Sequence, residues 1–264
     1  MLADHVKRII INTGNLISSK ELKKKAIQTP TEEVFDSIST VFLSWLSRLQ
    51  EEAVNDSTSV YCVSPHAIKA NQSDRAELKI SIKIFLGHYD CEDLKTSILE
   101  MMNSLDVNVV DSLILSLPLK SLEEKFDLEK MKPLWTILEN FVHEGKLITI
   151  GVSDLDTPEL AELYEWAEVR YVKIKPSVNQ VNIESCCVMP PELTAFAKEH
   201  DIQLLTHNDP KVLLPDKMLH NILESAVTTY ENWKISWIVR YAVVIKCRGI
   251  IQNKGYLMCT EKNT

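Results

Sequence analysis

The chain has 264 residues, enough for one barrel of eight β/α units, which takes about 250, or for two small domains. Hydrophobic residues make up 45% and charged residues 25%, the range of an ordinary globular protein. The net charge of −8 speaks against a nucleic-acid binder, whose affinity rests on a basic field; the cluster Lys20, Lys23, Lys24, Lys25 is short and reads as a solvated helix face.

The N-terminal MLADHVKRIIINTGNL has a short apolar stretch and no small-residue cleavage site, so no secretory leader is expected. IIINTG (9–14) is a strand candidate. Residues 18–31 read as a flexible arm. A long amphipathic helix is predicted over 31–53, with Val34, Phe35, Ile38, Val41, Phe42, Trp45, Leu46 and Leu49 on one side. SVYCV (59–63) is a second strand. ELKISIKIFLG (77–87) is a β-branched strand bounded by Gly87, followed by a helix over 91–104. VVDSLILSLP (109–118) is an apolar strand stopped by Pro118, and residues 131–144 form a helix.

KLITIGVS (146–153) is a strand. Thr157 and Pro158 start a helix, with Pro where its missing N–H costs nothing. SVNQVNI (177–183) is a strand, 191–200 a helix, IQLLT (202–206) a strand, WKISWIVRYAVV (233–244) a helix, and RGIIQ (248–252) a last strand. Residues 256–264 read as a tail. About eight strand–helix units in one domain over 1–264 predict an α/β fold, a closed (β/α)8 TIM barrel. A doubly wound open sheet is the second reading; the Gly-rich turn it usually carries is absent.

No run approaches the roughly 20 apolar residues of a membrane helix. The six cysteines, Cys62, Cys91, Cys186, Cys187, Cys247 and Cys259, show no metal-ligand spacing and read as reduced thiols of a cytoplasmic protein. Barrel sites lie at the C-terminal strand ends. Those ends present Lys83, Ser116, Ser153, Asp154, Gln180, His207 and Asn208.

IGVSDL (150–155), NQV (179–181), DSLILSLP (111–118) and SIKIF (81–85) resemble the aldo-keto reductases over roughly residues 77–255. That resemblance implies an NADPH-dependent carbonyl reduction in which a Tyr donates the proton beside a Lys, an Asp and a His. Lys83 stands at the lysine position, but Ser116 stands at the histidine position. Asp154 replaces an Asn that helps hold the nicotinamide, Ser153 and Gln180 remain, and His207 stands where a Tyr stacks on the ring. Asp56 and Tyr61 have the family's Asp-to-Tyr spacing without its flanking residues. Lys254 matches the first residue of the phosphate clamp, and the sequence runs ten residues further without the helix that carries its Arg. The implication is a degenerate site with no catalytic residues of its own and, at most, a remnant NADP(H) pocket formed by Ser153, Asp154, Gln180 and His207.

The stretch PSVNQVNIESCCVMPPELTAFAKEHDIQLLTHNDP (176–210), with INTGNL (11–16), ELKISIKIF (77–85) and RGIIQNKGY (248–256), is similar to the regulatory subunits of glutamate–cysteine ligase. This second resemblance implies a non-catalytic partner that forms a heterodimer with the ligase catalytic subunit. In that family the subunit improves glutamate use and relieves feedback inhibition by glutathione, in the first step of glutathione synthesis. No cofactor, metal, nucleic acid or membrane is required. An active reductase and a stand-alone cofactor-binding module are the alternatives.

Several residues carry a structural reading as well. Lys83 is expected to pair with a carboxylate inside the barrel. Cys186 and Cys187 are either two buried thiols in a loop or residues with a redox role or an intersubunit disulfide. Within His207-Asn208-Asp209, adjacent side chains point to opposite faces, so a turn capped by Asn208 or Asp209 before Pro210 is expected. Trp45, Trp135, Trp166 and Trp237 read as core.

Overall fold

The computed structural model describes residues 2–18, 28–48, 58–67, 69, 72–118, 125–169, 174–182 and 188–263; Asp56, Cys186, Cys187 and most of the expected arm lie outside these. The strands are β1 (Arg8–Asn12), β2 (Ser59–Val63), β3 (Leu78–Leu86), β4 (Val110–Ser116), β5 (Leu147–Ser153), β6 (Val178–Asn182), β7 (Gln203–His207), β8 (Trp233–Ile245) and β9 (Ile250–Lys262). The helices are α1 (Pro30–Arg48), α2 (Cys91–Leu105), α3 (Leu128–His143), α4 (Thr157–Glu168), α5 (Pro191–Glu199) and α6 (Asp216–Leu223).

All nine strands join one sheet in the order β2-β1-β9-β8-β3-β4-β5-β6-β7. From β3 to β7 the pairings are parallel, with a helix at each crossover, as the β/α alternation predicts. The α/β class is therefore present. It is completed in an unexpected way: a long antiparallel hairpin, β8 and β9, sits between β1 and β3.

That hairpin corrects the reading of residues 233–244, which form a strand and not a helix. The stretch is rich in Ile, Val and aromatic residues, whose branched or bulky side chains favour a pleated surface. Its true period is two. Trp237, Val239, Tyr241 and Val243 face one side, and Ile238 and Arg240 the other. Burial on both faces conceals the alternation, so the segment also satisfies a helical template. At the turn, Gly249 takes φ +62°, where glycine carries no steric cost, and its N–H donates to Ile245 O at 2.8 Å.

The two sheet faces have separate cores. Ile80, Ile82, Ile84, Leu113, Leu115 and Val152 pack with α2 to α5. Ile9, Ile11, Ile238 and Met258 pack on the opposite face against Val34, Ile38 and Phe42 of α1 and Leu219 and Leu223 of α6. Each such side chain contributes about 1.5–3 kcal/mol on full burial. Trp135 and Trp237 are fully buried, and Trp45 and Trp166 pack at the margins of the cores.

Local sequence sets the helix starts. Asp156 accepts the Glu159 N–H at 3.0 Å while the Glu159 carboxylate accepts the Asp156 N–H at 3.0 Å, a reciprocal cap for α4. Asp156→Ala is expected to cost about 1 kcal/mol. A urea midpoint equal to the parent's would show that α4 does not need this cap.

Candidate functional site

Inward-facing side chains of β3, β7 and β8 meet on the face that carries α1. Lys83 is 4% exposed, and its Nζ donates to Asp209 Oδ2 at 2.9 Å. Arg240, opposite Lys83 in the β3–β8 register, engages the same carboxylate with both terminal nitrogens, Nη2 at 2.8 Å. A bidentate guanidinium and a lysine on one buried carboxylate form a strong charge-assisted cluster. The Phe85 ring lies beside both cations, 5.1 Å from Lys83 Nζ and 5.4 Å from the Arg240 guanidinium carbon.

Burial opposes ionisation of Asp209, but the adjacent His207 ring and the charged, hydrogen-bonding Arg240 and Lys83 outweigh it and hold the carboxyl far below its usual range. Burial lowers the Lys83 pKa, and Asp209 offsets this only in part. The expected carboxylate partner of Lys83 is therefore Asp209.

His207 and Asp209, two residues apart, point the same way. Asp209 N–H donates to His207 Nδ1 at 3.0 Å, and His207 Nε2 lies 2.9 Å from Asp154 Oδ1. With Nδ1 accepting, Nε2 carries the proton and donates to Asp154. Burial disfavours the imidazolium, yet the Asp154 and Asp209 carboxylates raise the His207 pKa above its ordinary value; the Asp209 N–H opposes them by favouring the neutral ring. Asp154 holds φ +62°, a left-handed conformation tolerated by Asp, and also accepts the Asn182 N–H at 2.9 Å. Asn182 Nδ2 in turn donates to the Asp209 carbonyl at 2.7 Å. Asp209 is thus a hub of ion pairs, not the helix cap expected for this turn.

A second cluster adjoins the first. Glu33, in the first turn of α1, accepts Lys254 Nζ at 2.7 Å and Tyr256 Oη at 2.8 Å. Burial pushes Glu33 up, and these two donors bring it below the usual carboxylate range. Tyr256 is opposite Arg240 in the β8–β9 register, so the clusters touch. Lys254, matched in sequence to a phosphate clamp, is an ion-pair partner of α1.

Among the sequence-selected residues, the structure unites Lys83, Asp154, Gln180 and His207 around this face and leaves Ser116 apart. Ser116 lines a separate cavity of about 410 Å³ with Phe85, Leu213 and Ile238. Ser153 and Gln180 are register partners, and Ser153 Oγ and Gln180 Oε1 are buried without a hydrogen-bond partner. Tyr61 lies outside the site. It is 51% exposed, on the helix-facing side of β2, and its hydroxyl donates to Glu100 of α2 at 3.1 Å. Asp209 and Arg240 are the residues that sequence reasoning missed. The signal for Arg240 was the period of two in β8, and that for Asp209 its i+2 spacing from His207.

These groups do not fit a working nicotinamide site. The His207 side chain is 4% exposed and tied at both ring nitrogens, so it offers no open face for stacking. Lys83 is neutralised by Asp209, and no tyrosine hydroxyl hydrogen-bonds to it among the described residues.

Comparison with known proteins places this arrangement. Residues 56–208 match the sequence signature of the aldo/keto reductase family. The mouse (Mus musculus) glutamate–cysteine ligase regulatory subunit is 41% identical over 257 residues, 96% of this chain and 92% of that protein. The human (Homo sapiens) glutamate–cysteine ligase regulatory subunit is 40% identical over 266 residues, 99% of this chain and 95% of its own length. A glyoxal reductase of Bacillus subtilis is 28% identical over 193 residues, 70% of this chain and 65% of that enzyme. Identity sustained over nearly the whole length, across a reductase signature in which Lys83 is tied to Asp209 and His207 to Asp154, shows that the chain belongs to the aldo/keto reductase family and, within it, groups with the glutamate–cysteine ligase regulatory subunits.

Proposed function

We propose that this chain is a non-catalytic regulatory subunit of glutamate–cysteine ligase, acting in the cytoplasm by binding the ligase catalytic subunit as a heterodimer. The carrying observation is identity near 40% over almost the full length of proteins bearing that name. The site supports the same reading. A reductase needs a positioned acid beside its lysine, and here Lys83 serves Asp209 and Arg240 instead. The fold is kept while its chemistry is gone, which suits a protein selected for its surface. Improved glutamate use and relief of glutathione inhibition are the effects proposed for the complex, with no cofactor required.

The test is to mix the chain with the catalytic subunit and measure ligase rate against glutamate concentration, with and without glutathione. The expected result is a lower KM for glutamate and a weaker effect of glutathione, with co-elution of the two chains at micromolar concentration. Superimposable rate curves and separate elution would rule the reading out.

A further inference from the structure

The interior of a (β/α)8 sheet is normally filled by layers of Val, Ile and Leu. Here one layer is small and polar. Thr149, Ser112, Ser81, Ala242 and Lys254 are successive register partners across β5, β4, β3, β8 and β9. With no Val, Ile or Leu in this layer to fill it, the space above remains a cavity of about 620 Å³, within the range of small-molecule sites. Arg240 and Lys83 form the layer to one side, and Lys79 lies on the other. Layers two residues apart are about 7 Å apart.

The charges facing this space do not balance. Lys79, Lys83, Arg240 and Lys254 are four cations, and the carboxylates that contact them are two, Asp209 and Glu33. Lys79 has no ion-pair partner among the described residues. The hydroxyls of Ser81 and Ser112 face the cavity with no hydrogen bond to another described residue, and Gln180 Oε1 is buried at its wall without a partner. Two positive charges are left over: that of Lys79, which is unpaired among the described residues, and one in the touching cluster where Lys83, Arg240 and Lys254 share the two carboxylates, with the Ser81 and Ser112 hydroxyls between.

We propose that this lumen is a binding site for a small dicarboxylate. One carboxylate sits between Lys254 and the Ser81 and Ser112 hydroxyls, and the other at Lys79. A short carbon chain between two carboxylates reaches from one layer to the next, whereas a compact dianion meets one layer at a time. The site lies deeper in the sheet than the strand ends where Ser153 and His207 stand, and it does not depend on the regulatory reading.

The experiment is isothermal titration calorimetry of the intact chain with glutarate and succinate. Acetate, inorganic phosphate and the neutral diamide glutaramide serve as comparisons. The dicarboxylates are expected to bind with a Kd of about 1 mM or tighter. Lys79→Met and Lys254→Met should each weaken binding about tenfold or more. Ser112→Leu, which fills the polar layer, should abolish it. Lys79 is on the exposed rim, so its variant reports on binding even if Ser112→Leu fails to fold. The proposal is overturned if no dicarboxylate binds, if phosphate, acetate or the diamide binds as tightly, or if Lys79→Met retains the parent affinity.

Discussion

Asp209→Ala is expected to lower the stability of the chain by about 3–5 kcal/mol, because it strands two cations. The side chains of Lys83 and Asp209 are 5% and 2% exposed, and that of Arg240 is 29% exposed. Neither cation can reach bulk water fully, and removing the carboxylate leaves both without their charge partner. Urea unfolding at pH 7, with an unchanged m-value, is the measurement. A loss under about 1 kcal/mol, as at an exposed ion pair, would show that water already screens the cluster.

The same carboxylate sets a pH dependence. Its folded pKa lies below the unfolded value near 3.9, so its contribution is complete above about pH 5 and fades as pH falls through the folded value. The stability gap between the parent and Asp209→Asn should widen somewhat as pH falls from 7 to about 5, because His207, whose pKa the Asp209 carboxylate helps to raise, takes up its proton there, and should narrow in stronger acid as Asp209 itself is protonated. Replacing the whole cluster (Lys83→Met, Asp209→Leu and Arg240→Met together) is expected to cost far less than Asp209→Ala alone, since no buried charge is then left unpaired.

No NADPH-dependent carbonyl reduction is expected from the purified chain, at a rate several orders of magnitude below an enzymatic turnover of about 1 per second. The acid alone contributes about 10²–10⁴ in such reactions, and Tyr61 is on the wrong side of the sheet to supply it. Restoring the histidine by Ser116→His is expected to yield no activity, because Lys83 would still be held by Asp209 and no hydroxyl would face it. Assay of a standard aldehyde with NADPH checks both proteins. Turnover near 1 per second in either would refute the account of the site.

Sequence alone carried the parallel half of the fold. From β3 to α5 every element was predicted within a few residues, because short apolar strands alternate with capped amphipathic helices and each signal is local. Asp90 and Asp127 accept the first-turn N–H groups of α2 and α3, much as Asp156 does for α4. The family resemblance was likewise legible, since IGVSDL and NQV are consecutive residues on β5 and β6.

What the tertiary structure decided is non-local. Residues 233–244 satisfy a helical and a strand template equally well, and the antiparallel partners on both sides, β3 and β9, select the strand. Arg240 enters the site only through that choice. Asp209 could be assigned neither to Lys83, 126 residues away, nor to Arg240 by any local rule. Hydrophobic period and capping fix the elements because their interactions span a few residues. Ion-pair partners and the open polar layer are fixed by register, which depends on how distant strands meet.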